Sequence, residues 1–273
     1  DIMQGVSINL FVKTGKKAKD ELGKVYHKDL YGLRQSKYDF LDAASLDSVG
    51  YKELQPKAPM CFFVPKDFGL EETYNKGFKL DSLFQLTLLG PNSHRDDFAV
   101  CFTEQSAWKH ITDFKDENIS DDVIRNKYKL QDNRDWHLAD ARKEIPDNAV
   151  PVKCLYRPFD FRYMLYGDFA FDYLRPQLND NLLKDNIALV ATKQNRNNCA
   201  VFVTSLPLGQ HKIADPYDGS YAMPLYIYQE TPGTEERIPN LNPQIVRQIE
   251  QSLGEAVEPQ ELFDYIYAVL HSP

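Results

Sequence analysis

Apolar positions in the first part of the chain predict a β-hairpin followed by a helix. Residues 5–13 form an apolar run with several β-branched side chains, which is typical of a buried strand. Residues 24–30 predict a partner strand, joined to the first by a long, lysine-rich connection. Residues 35–46 carry apolar side chains at helical spacing, and residues 60–64 predict a further short strand between prolines.

The middle of the chain changes from a strand pattern to a helical one. A turn-rich loop over residues 90–97 precedes a predicted strand at 98–102, and we expect that loop to expose His94 and Arg95. Periodic apolar positions then predict three amphipathic helices, at residues 104–115, 120–129 and 133–144. Because such periodicity usually marks a core, this helical block is interpreted as a scaffold.

The second half alternates short apolar runs with loops and ends in two helices. A short helix is predicted at residues 175–184, and each C-terminal helix has a proline in its first turn, where proline is tolerated. The fold class is therefore α+β: a mixed or antiparallel sheet with a helical block and two C-terminal helices. The predicted strands are 151–156, 161–166, 187–192, 199–204 and 222–228, and the C-terminal helices are 243–253 and 259–270.

Composition excludes several classes of protein. No apolar run reaches the ~20 residues that a bilayer crossing needs, and no secretory signal pattern is found. The four cysteines, Cys61, Cys101, Cys154 and Cys199, form no Cys-x-x-Cys pair and have no histidine at ligand spacing, which argues against structural zinc. We expect reduced thiols in a bacterial cytoplasmic protein.

Charge is unevenly distributed. The net charge of −8 argues against a protein that coats DNA without sequence preference. Residues 1–37, however, carry eight Lys and Arg against four Asp and Glu, and residues 151–215 carry eight against six. Residues 229–273 carry two arginines against eight Asp and Glu, so the acidic excess lies at the C-terminal end. A local basic face is therefore possible elsewhere.

The sequence contains no complete version of three catalytic patterns. Asp215-Pro-Tyr217 is similar to the Asn-Pro-Pro-Tyr motif of amino-methylating DNA enzymes but lacks the second proline, and a turn explains it better. Pro146-Asp147 lacks the second acid of a nuclease motif. No Gly-x-Ser-x-Gly nucleophile turn is present.

Basic and amide side chains cluster in loops between predicted strands. Loops on a rigid scaffold are where recognition residues lie. Arg suits the N7 and O6 atoms of guanine, and Asn or Gln suits the N6 and N7 atoms of adenine. A merely solvated loop remains an alternative. The loop residues that we consider candidates for DNA contact are His94, Arg95, Lys193, Gln194, Asn195, Arg196, Asn197, Asn198, His211 and Lys212.

Three further arginines lie near aromatic residues. Arg157 and Arg162 flank the segment Pro-Phe-Asp-Phe, and Arg175 follows Phe-Asp-Tyr-Leu. An arginine among aromatic residues usually pairs with an acid, so we favour a structural ion pair with Asp160 or a stacking role for Arg157. Contact with a DNA phosphate is the alternative, and all three arginines are retained as candidates.

Several separated segments of the chain follow one another in a recognisable order. They are residues 156–162 (Tyr-Arg-Pro-Phe-Asp-Phe-Arg), Arg175-Pro, 186–190 with Lys193-Gln194, 224–228, 239–242 and 263–273. Together they resemble the C-terminal specificity region of Type ISP restriction-modification enzymes, and the resemblance covers nearly the whole chain. Residues 5–13 resemble the last strands of that family's methyltransferase core, and residues 90–98 resemble the family's loop after its Gly-rich turn.

The resemblance implies a domain division and a role. Residues 1–50 would be the end of an adenine-N6 methyltransferase core, a β-hairpin plus a helix, and residues 51–273 a target-recognition domain. The parent would resemble an adenine-specific DNA methyltransferase with ATP-dependent restriction activity. Its partners would be double-stranded DNA and the methyltransferase and translocase domains of the same polypeptide, without a membrane.

The same resemblance bears on catalysis and cofactors. We expect no cofactor in this fragment, while the parent would use S-adenosylmethionine, ATP and Mg²⁺. The fragment itself is expected to be non-catalytic. In the first hypothesis, lysines and arginines of residues 13–37 and 153–212 hold phosphates, while Arg95 and residues 194–197 read bases. A scaffold that couples methyltransferase to translocase, and a methyltransferase or nuclease module, remain the alternatives.

Overall fold

The computed structural model describes residues 5–18, 21–193, 200–213, 217, 219–231 and 234–272. The chain divides into two compact units, residues 1–77 and residues 78–273. This division falls later than the boundary expected from the sequence, after residue 50. The assignment of residues 1–50 to the end of a methyltransferase core stays a prediction.

The smaller unit contains two short strands and two helices among its described residues. Strand β1 (Val25–His27) pairs antiparallel with β2 (Lys52–Leu54), with Val25 opposite Leu54. Helix α1 (Arg34–Ala43) confirms the helix predicted there, and α2 (Glu71–Tyr74) is a single turn.

Two strand predictions for this unit are wrong. Residues 5–14 have no regular structure, so they do not form a hairpin with residues 24–30. Val6, Ile8 and Phe11 are 72–80% exposed, because no described strand lies beside this run to complete its hydrogen bonds and cover its side chains. Residues 60–64 form turns and bends instead of a strand.

The larger unit begins with short elements and a helical block. Helix α5 confirms the predicted helix at both ends, and Thr103 caps it by accepting from the Ser106 amide at 3.1 Å. The predicted strand at 98–102 is wrong in its first half, which is helical. The elements are α3 (Leu80–Leu83), β3 (Leu88–Leu89), α4 (Asp96–Ala99), β4 (Val100–Cys101), α5 (Glu104–Lys115), α6 (Asp121–Tyr128) and α7 (Leu138–Glu144).

The remaining elements confirm the α+β class. The two C-terminal helices have the predicted bounds, and a strand pair at 226–239 includes one strand that the sequence analysis missed. The elements are β5 (Pro151–Arg157), β6 (Asp160–Leu165), α8 (Pro176–Leu182), β7 (Ala188–Thr192), β8 (Val201–Thr204), β9 (Ser220–Pro224), β10 (Tyr226–Thr231), β11 (Thr234–Pro239), α9 (Pro243–Leu253) and α10 (Pro259–Leu270).

Two sheets form the framework of the larger unit. The first has strand order β3-β9-β7-β8 and the second β4-β6-β5, and every pair of neighbouring strands is antiparallel. Helices α5, α6 and α7 cover the three-stranded sheet through a core that includes Phe98, Phe114 and Met164. Helices α9 and α10 pack against the four-stranded sheet through a core that includes Leu189 of β7, Phe263 of α10 and Phe84, which follows α3.

Backbone hydrogen bonds connect the three-stranded sheet to the loop that follows β8 of the four-stranded sheet. The Leu155 amide of β5 donates to the Pro207 carbonyl, and the Gly209 amide donates to the Leu155 carbonyl, both at 2.9 Å. A Cβ atom on Gly209 would lie 2.8 Å from Cys154 Sγ, so this approach requires glycine. The connection places the end of β5 beside the loop that follows β8.

Candidate nucleic-acid interface

A cleft of about 480 Å³ opens where several loops of the larger unit meet. Five of the side chains predicted to contact DNA line it, although they come from three separate parts of the chain. These five are His94, Arg95, Arg157, His211 and Lys212. The other lining residues are Asn92, Asp96, Asp97, Phe98, Tyr128, Lys129, Gln131 and Gln210.

Backbone hydrogen bonds hold the loops together at one end of the four-stranded sheet. The Ser220 amide at the start of β9 donates to the His211 carbonyl at 2.6 Å. The Lys193 amide, just after β7, donates to the Gly219 carbonyl at 2.8 Å. The loop that bears His211 and the start of the loop that follows β7 are therefore fixed to the same sheet edge.

Gly90 allows the loop at residues 90–95 to approach the loop at residues 210–212. A Cβ atom on Gly90 would lie 2.4 Å from the Gln210 carbonyl oxygen and 2.9 Å from His211 Cα, distances that real Cβ atoms do not show. The obstacles are backbone atoms, so a side-chain rotation cannot relieve the clash. The spacing of the cleft walls thus depends on a hydrogen atom at this position.

Gly90→Ala is expected to lower the free energy of unfolding by about 1–3 kcal/mol, as overpacking does elsewhere. It should also weaken whatever binds in the cleft, because the loops must separate. Urea denaturation of this variant and of Gly23→Ala provides the comparison, since a Cβ on Gly23 would meet only Lys17 Nζ at 3.9 Å. Equal stability of the two variants would contradict the close approach.

A buried carboxylate, Asp172, organises the wall of the cleft. Its side chain is fully buried and accepts from Arg95 Nη2 at 2.7 Å and from Asn133 Nδ2 at 3.1 Å. His94 Nδ1 makes a short contact with the same carboxylate. The Asp172 amide donates to the Asn92 carbonyl at 3.1 Å, so the backbone holds the acid next to the loop that carries its partners.

Arg95 is buried, contrary to the expectation that its loop exposes it. Only 8% of the residue is accessible, and its guanidinium stacks 3.8 Å from the Trp136 ring centroid. Burial lowers the pKa of Arg95, while the hydrogen bond and charge of Asp172 oppose that shift. Nε of Arg95 has no hydrogen-bond partner among the described residues, although the side chain lines the cleft. Its contribution to base reading stays a prediction.

His94 remains exposed at the edge of the cleft. Its φ of +50° turns the side chain back toward Asp172, and Nε2 lies 2.9 Å from Asn92 Nδ2. A neutral imidazole with its hydrogen on Nδ1 satisfies both contacts, since Nδ1 then donates to the carboxylate and Nε2 accepts from the amide. His94 is therefore held in place by two fixed neighbours while half of its side chain faces solvent.

His211 also lines the cleft. Desolvation by burial lowers the pKa of His211, although a hydrogen bond with the Pro91 backbone opposes the shift. The lowered pKa favours the neutral imidazole, which offers hydrogen bonds instead of a positive charge. Its Nδ1 is buried and has no hydrogen-bond partner within the part of the chain that the structure describes.

Three cations of the cleft have no carboxylate partner among the described residues: Lys129, Arg157 and Lys212. Lys129 is exposed and ends α6 with a φ of +53°, which directs the chain out of the helix. Of the two acids in the cleft, Asp96 already accepts from Ser93 Oγ and from Tyr156 Oη. Asp97, the other acid, also lines the cleft. The cleft thus combines three cations that form no direct ion pair among the described residues, two carboxylates and the amides of Asn92, Gln131 and Gln210.

Arg162 has the structural role that we predicted for Arg157. Its guanidinium is sandwiched between Phe102 at 3.9 Å and Tyr156 at 3.8 Å, and it pairs with Asp160 at 2.8 Å. Of the two roles expected for Arg157, the ion pair with Asp160 is therefore wrong, whereas the stacking role agrees with its position over the Tyr156 ring. Arg157 lies 5.4 Å from the Tyr156 ring and lines the cleft, which leaves its charge available.

The remaining predicted residues lie apart or cannot be placed. Arg175 precedes α8 with a φ of +59° and lies 5.3 Å from the Tyr173 ring, outside the cleft lining. Lys193 is exposed beside Tyr221. The predicted contacts of Gln194, Asn195, Arg196, Asn197 and Asn198 lie outside the described residues.

Sequence reasoning missed the contribution of Lys129, Gln131 and Gln210. The first two follow a helix that was interpreted as scaffold, and Gln210 is buried and donates to the Tyr156 carbonyl at 2.8 Å. A basic or amide residue directly after a helix is too common a pattern to identify a site. Only the three-dimensional arrangement brings these residues beside His94 and Lys212.

Comparison with known proteins assigns the fold. Residues 82–273 match the family described as the Type ISP C-terminal specificity domain, which is more than half of the chain. The chain belongs to that family. The match covers all of the cleft and ends with the last helix of the larger unit, and it confirms the resemblance drawn from the sequence. A comparison with curated proteins finds no match.

Solved structures with this fold include three complexes with DNA. The DrdV–DNA complex has a TM-score of 0.63 and 18% identity, over 92% of this chain and 27% of that chain. A nuclease-deletion mutant of the Type ISP restriction-modification enzyme LlaGI, in complex with a DNA substrate mimic, has a TM-score of 0.56 and 19% identity, over 94% and 25%. The ATP-dependent Type ISP restriction-modification enzyme LlaBIII, bound to DNA, has a TM-score of 0.52 and 15% identity. The match covers 81% of this chain and 15% of that chain.

The chain spans only part of the length of each of these structures. It spans about a quarter of the DrdV and LlaGI chains and less of the LlaBIII chain. At such identities the likeness concerns the fold. No helix among the described residues combines the length and the apolar character that a membrane crossing requires.

Proposed function

We propose that this specificity domain recognises a particular sequence in double-stranded DNA and that the cleft is part of the contact surface. The observation that carries the proposal is the convergence of loop residues distant in sequence, 92–97, 129–131, 157 and 210–212, around one opening. Membership of a specificity-domain family supports the role, and DNA in the three structures of similar fold supports the ligand.

The cleft offers both classes of contact that sequence recognition needs. Lys129, Arg157 and Lys212 supply charge for phosphates, which position a protein on the duplex without reading its sequence. Asn92 and Gln131 supply amides that suit adenine edges. Arg95 and Asp172 act beneath them as a rigid support. Residues 194–198 remain candidates for base reading.

In the parent polypeptide, we propose that this recognition positions a target adenine for N6 methylation and licenses ATP-dependent restriction. The methyltransferase and translocase domains of the same polypeptide would be its partners, in the bacterial cytoplasm. S-adenosylmethionine, ATP and Mg²⁺ would be held outside these residues. Every sheet described here pairs its strands antiparallel, whereas nucleotide cofactors commonly bind at the carboxyl ends of parallel strands.

Selection from a randomised duplex library tests the proposal. The 273-residue chain is incubated with a library at about 0.1 M salt, and bound DNA is amplified over several rounds. We expect one motif to be enriched and to bind at least ~10³-fold more tightly than a scrambled duplex, as specific binding usually does. Recovery of unrelated sequences, or equal affinity for the scrambled duplex, would reject sequence recognition by this chain.

A further inference from the structure

The hairpin between β5 and β6 ends in an unusual residue. Arg157 pairs with Asp160, so Pro158 and Phe159 form a two-residue turn. Phe159 has a φ of +63° and is 89% exposed. A turn with proline followed by a positive φ matches the type II pattern, in which the second position favours glycine or asparagine.

A bulky residue at a positive φ is disfavoured, and such strain tends to be found at functional sites. Burial does not explain Phe159, because its ring contributes almost nothing to the core. The local sequence would be more stable with glycine there, as glycine adopts positive φ without steric cost. An exposed aromatic ring at this position does not stabilise the fold, which indicates that Phe159 has another role.

The surroundings of the turn indicate what the ring contacts. Arg157, immediately before the turn, lines the cleft, so the hairpin tip lies next to its opening. Phe102 and Phe161 are also exposed, at 72% and 52%, and Lys153 lies 5.9 Å from the Phe161 ring. The one acid of the turn, Asp160, is neutralised by Arg162. Exposed rings with neighbouring cations match a ligand that is both flat and anionic.

We propose that Phe159 stacks on bases of the bound DNA at the edge of the cleft, as an aromatic wedge. This inference rests on the proposed function, since it requires that the cleft bind the duplex. Apolar side chains inserted at a base step unstack it locally, and aromatic rings stack on any base regardless of its sequence. Arg157 would then hold the phosphate next to the unstacked step.

The test combines affinity with a fluorescent base. 2-Aminopurine is placed at successive positions in and beside the enriched motif, and its emission is recorded with the 273-residue chain and its variants. Stacking on neighbouring bases quenches this emission, so opening of a base step raises it. With the unchanged chain, emission should rise at one or two adjacent positions. Phe159→Ala and Phe159→Gly should abolish that rise and weaken binding by about 5- to 150-fold, whereas Phe159→Trp should retain both.

Thermal unfolding separates a recognition role from a structural one. Phe159→Gly should unfold at the same temperature as the unchanged chain or higher, because glycine relieves the backbone strain, and yet bind DNA more weakly. Tyr265→Ala is the matched control, since Tyr265 is an exposed aromatic residue of α10, 67% accessible, and its loss should leave affinity and emission unchanged.

The outcomes distinguish the two proposals. If the unchanged chain binds its motif but both Phe159 variants bind equally well with the same emission profile, the wedge is overturned and the proposed function stands. If the unchanged chain shows no saturable binding to any duplex, the proposed function fails and the wedge fails with it.

Discussion

Asp172→Asn is expected to lower the free energy of unfolding by about 3–5 kcal/mol, the loss typical when one partner of a buried ion pair is removed. The asparagine has nearly the same shape, so packing is conserved while the negative charge disappears. Arg95, which is 8% exposed and stacked on Trp136, would keep its positive charge without a compensating carboxylate. Urea denaturation followed by circular dichroism measures the change.

Asp185→Asn is the matched control for this measurement. Asp185 pairs with Arg237 at 3.5 Å, but its side chain is 98% exposed, and exposed pairs contribute little. The free energy of unfolding of the Asp185→Asn variant should therefore equal that of the unchanged chain within error. If Asp172→Asn also unfolds at the same urea concentration as the unchanged chain, the ion pair between Asp172 and Arg95 does not stabilise the wall of the cleft.

Replacing Lys129, Arg157 and Lys212 together by glutamine is expected to weaken binding to the enriched duplex by about 100- to 1000-fold at 0.1 M salt. Each neutralised phosphate adds about 0.9 to the slope of log affinity against log salt, which corresponds to roughly 8-fold at that concentration. The slope should accordingly fall by about 3. Fluorescence anisotropy at four salt concentrations gives both quantities.

A variant with the same loss of charge elsewhere isolates the cleft from a general charge effect. Lys109, Lys143 and Arg247 are exposed and do not line the cleft, so their joint replacement by glutamine should change affinity far less. Equal weakening by the two triple variants, with both still folded, would mean that overall charge and not the cleft governs DNA binding.

Helices whose stabilising signals lie within the helix itself could be predicted from the sequence. Helix α5 follows a threonine cap and has periodic apolar positions, and helices α9 and α10 each begin with a proline in the first turn. The predicted bounds of these helices were correct because their signals lie within the helices themselves. The α+β class followed from the same reasoning.

Elements that depend on distant partners could not be predicted so well. The run at residues 5–13 has a strand pattern, but a strand needs a neighbour, and no described strand pairs with it. Arg95 was expected on an exposed loop because its neighbours are turn formers. Its burial depends on Trp136 and Asp172, far along the chain, and nothing local signals that contact.

The candidate site shows the same limit. Loop composition selected His94, His211 and Lys212, since polar residues between strands are natural recognition residues, and the structure places them around one cleft with Arg157. Their contact with DNA stays a prediction. The same reasoning could not state that these residues share one opening, nor that Lys129 and Gln131 join them from the end of a helix. These residues meet because their loops are fixed to one edge of the four-stranded sheet and because Gly90 allows two of the loops to approach closely.

The most direct test of the proposal that the cleft contacts DNA is a structure of the 273-residue chain bound to its enriched duplex. We expect Arg157 and Lys212 to lie within hydrogen-bond reach of DNA, about 3 Å, with the duplex over the opening formed by residues 92–97 and 210–212. A duplex bound to another face, such as that of α9 and α10, with the cleft open to solvent, would contradict the account.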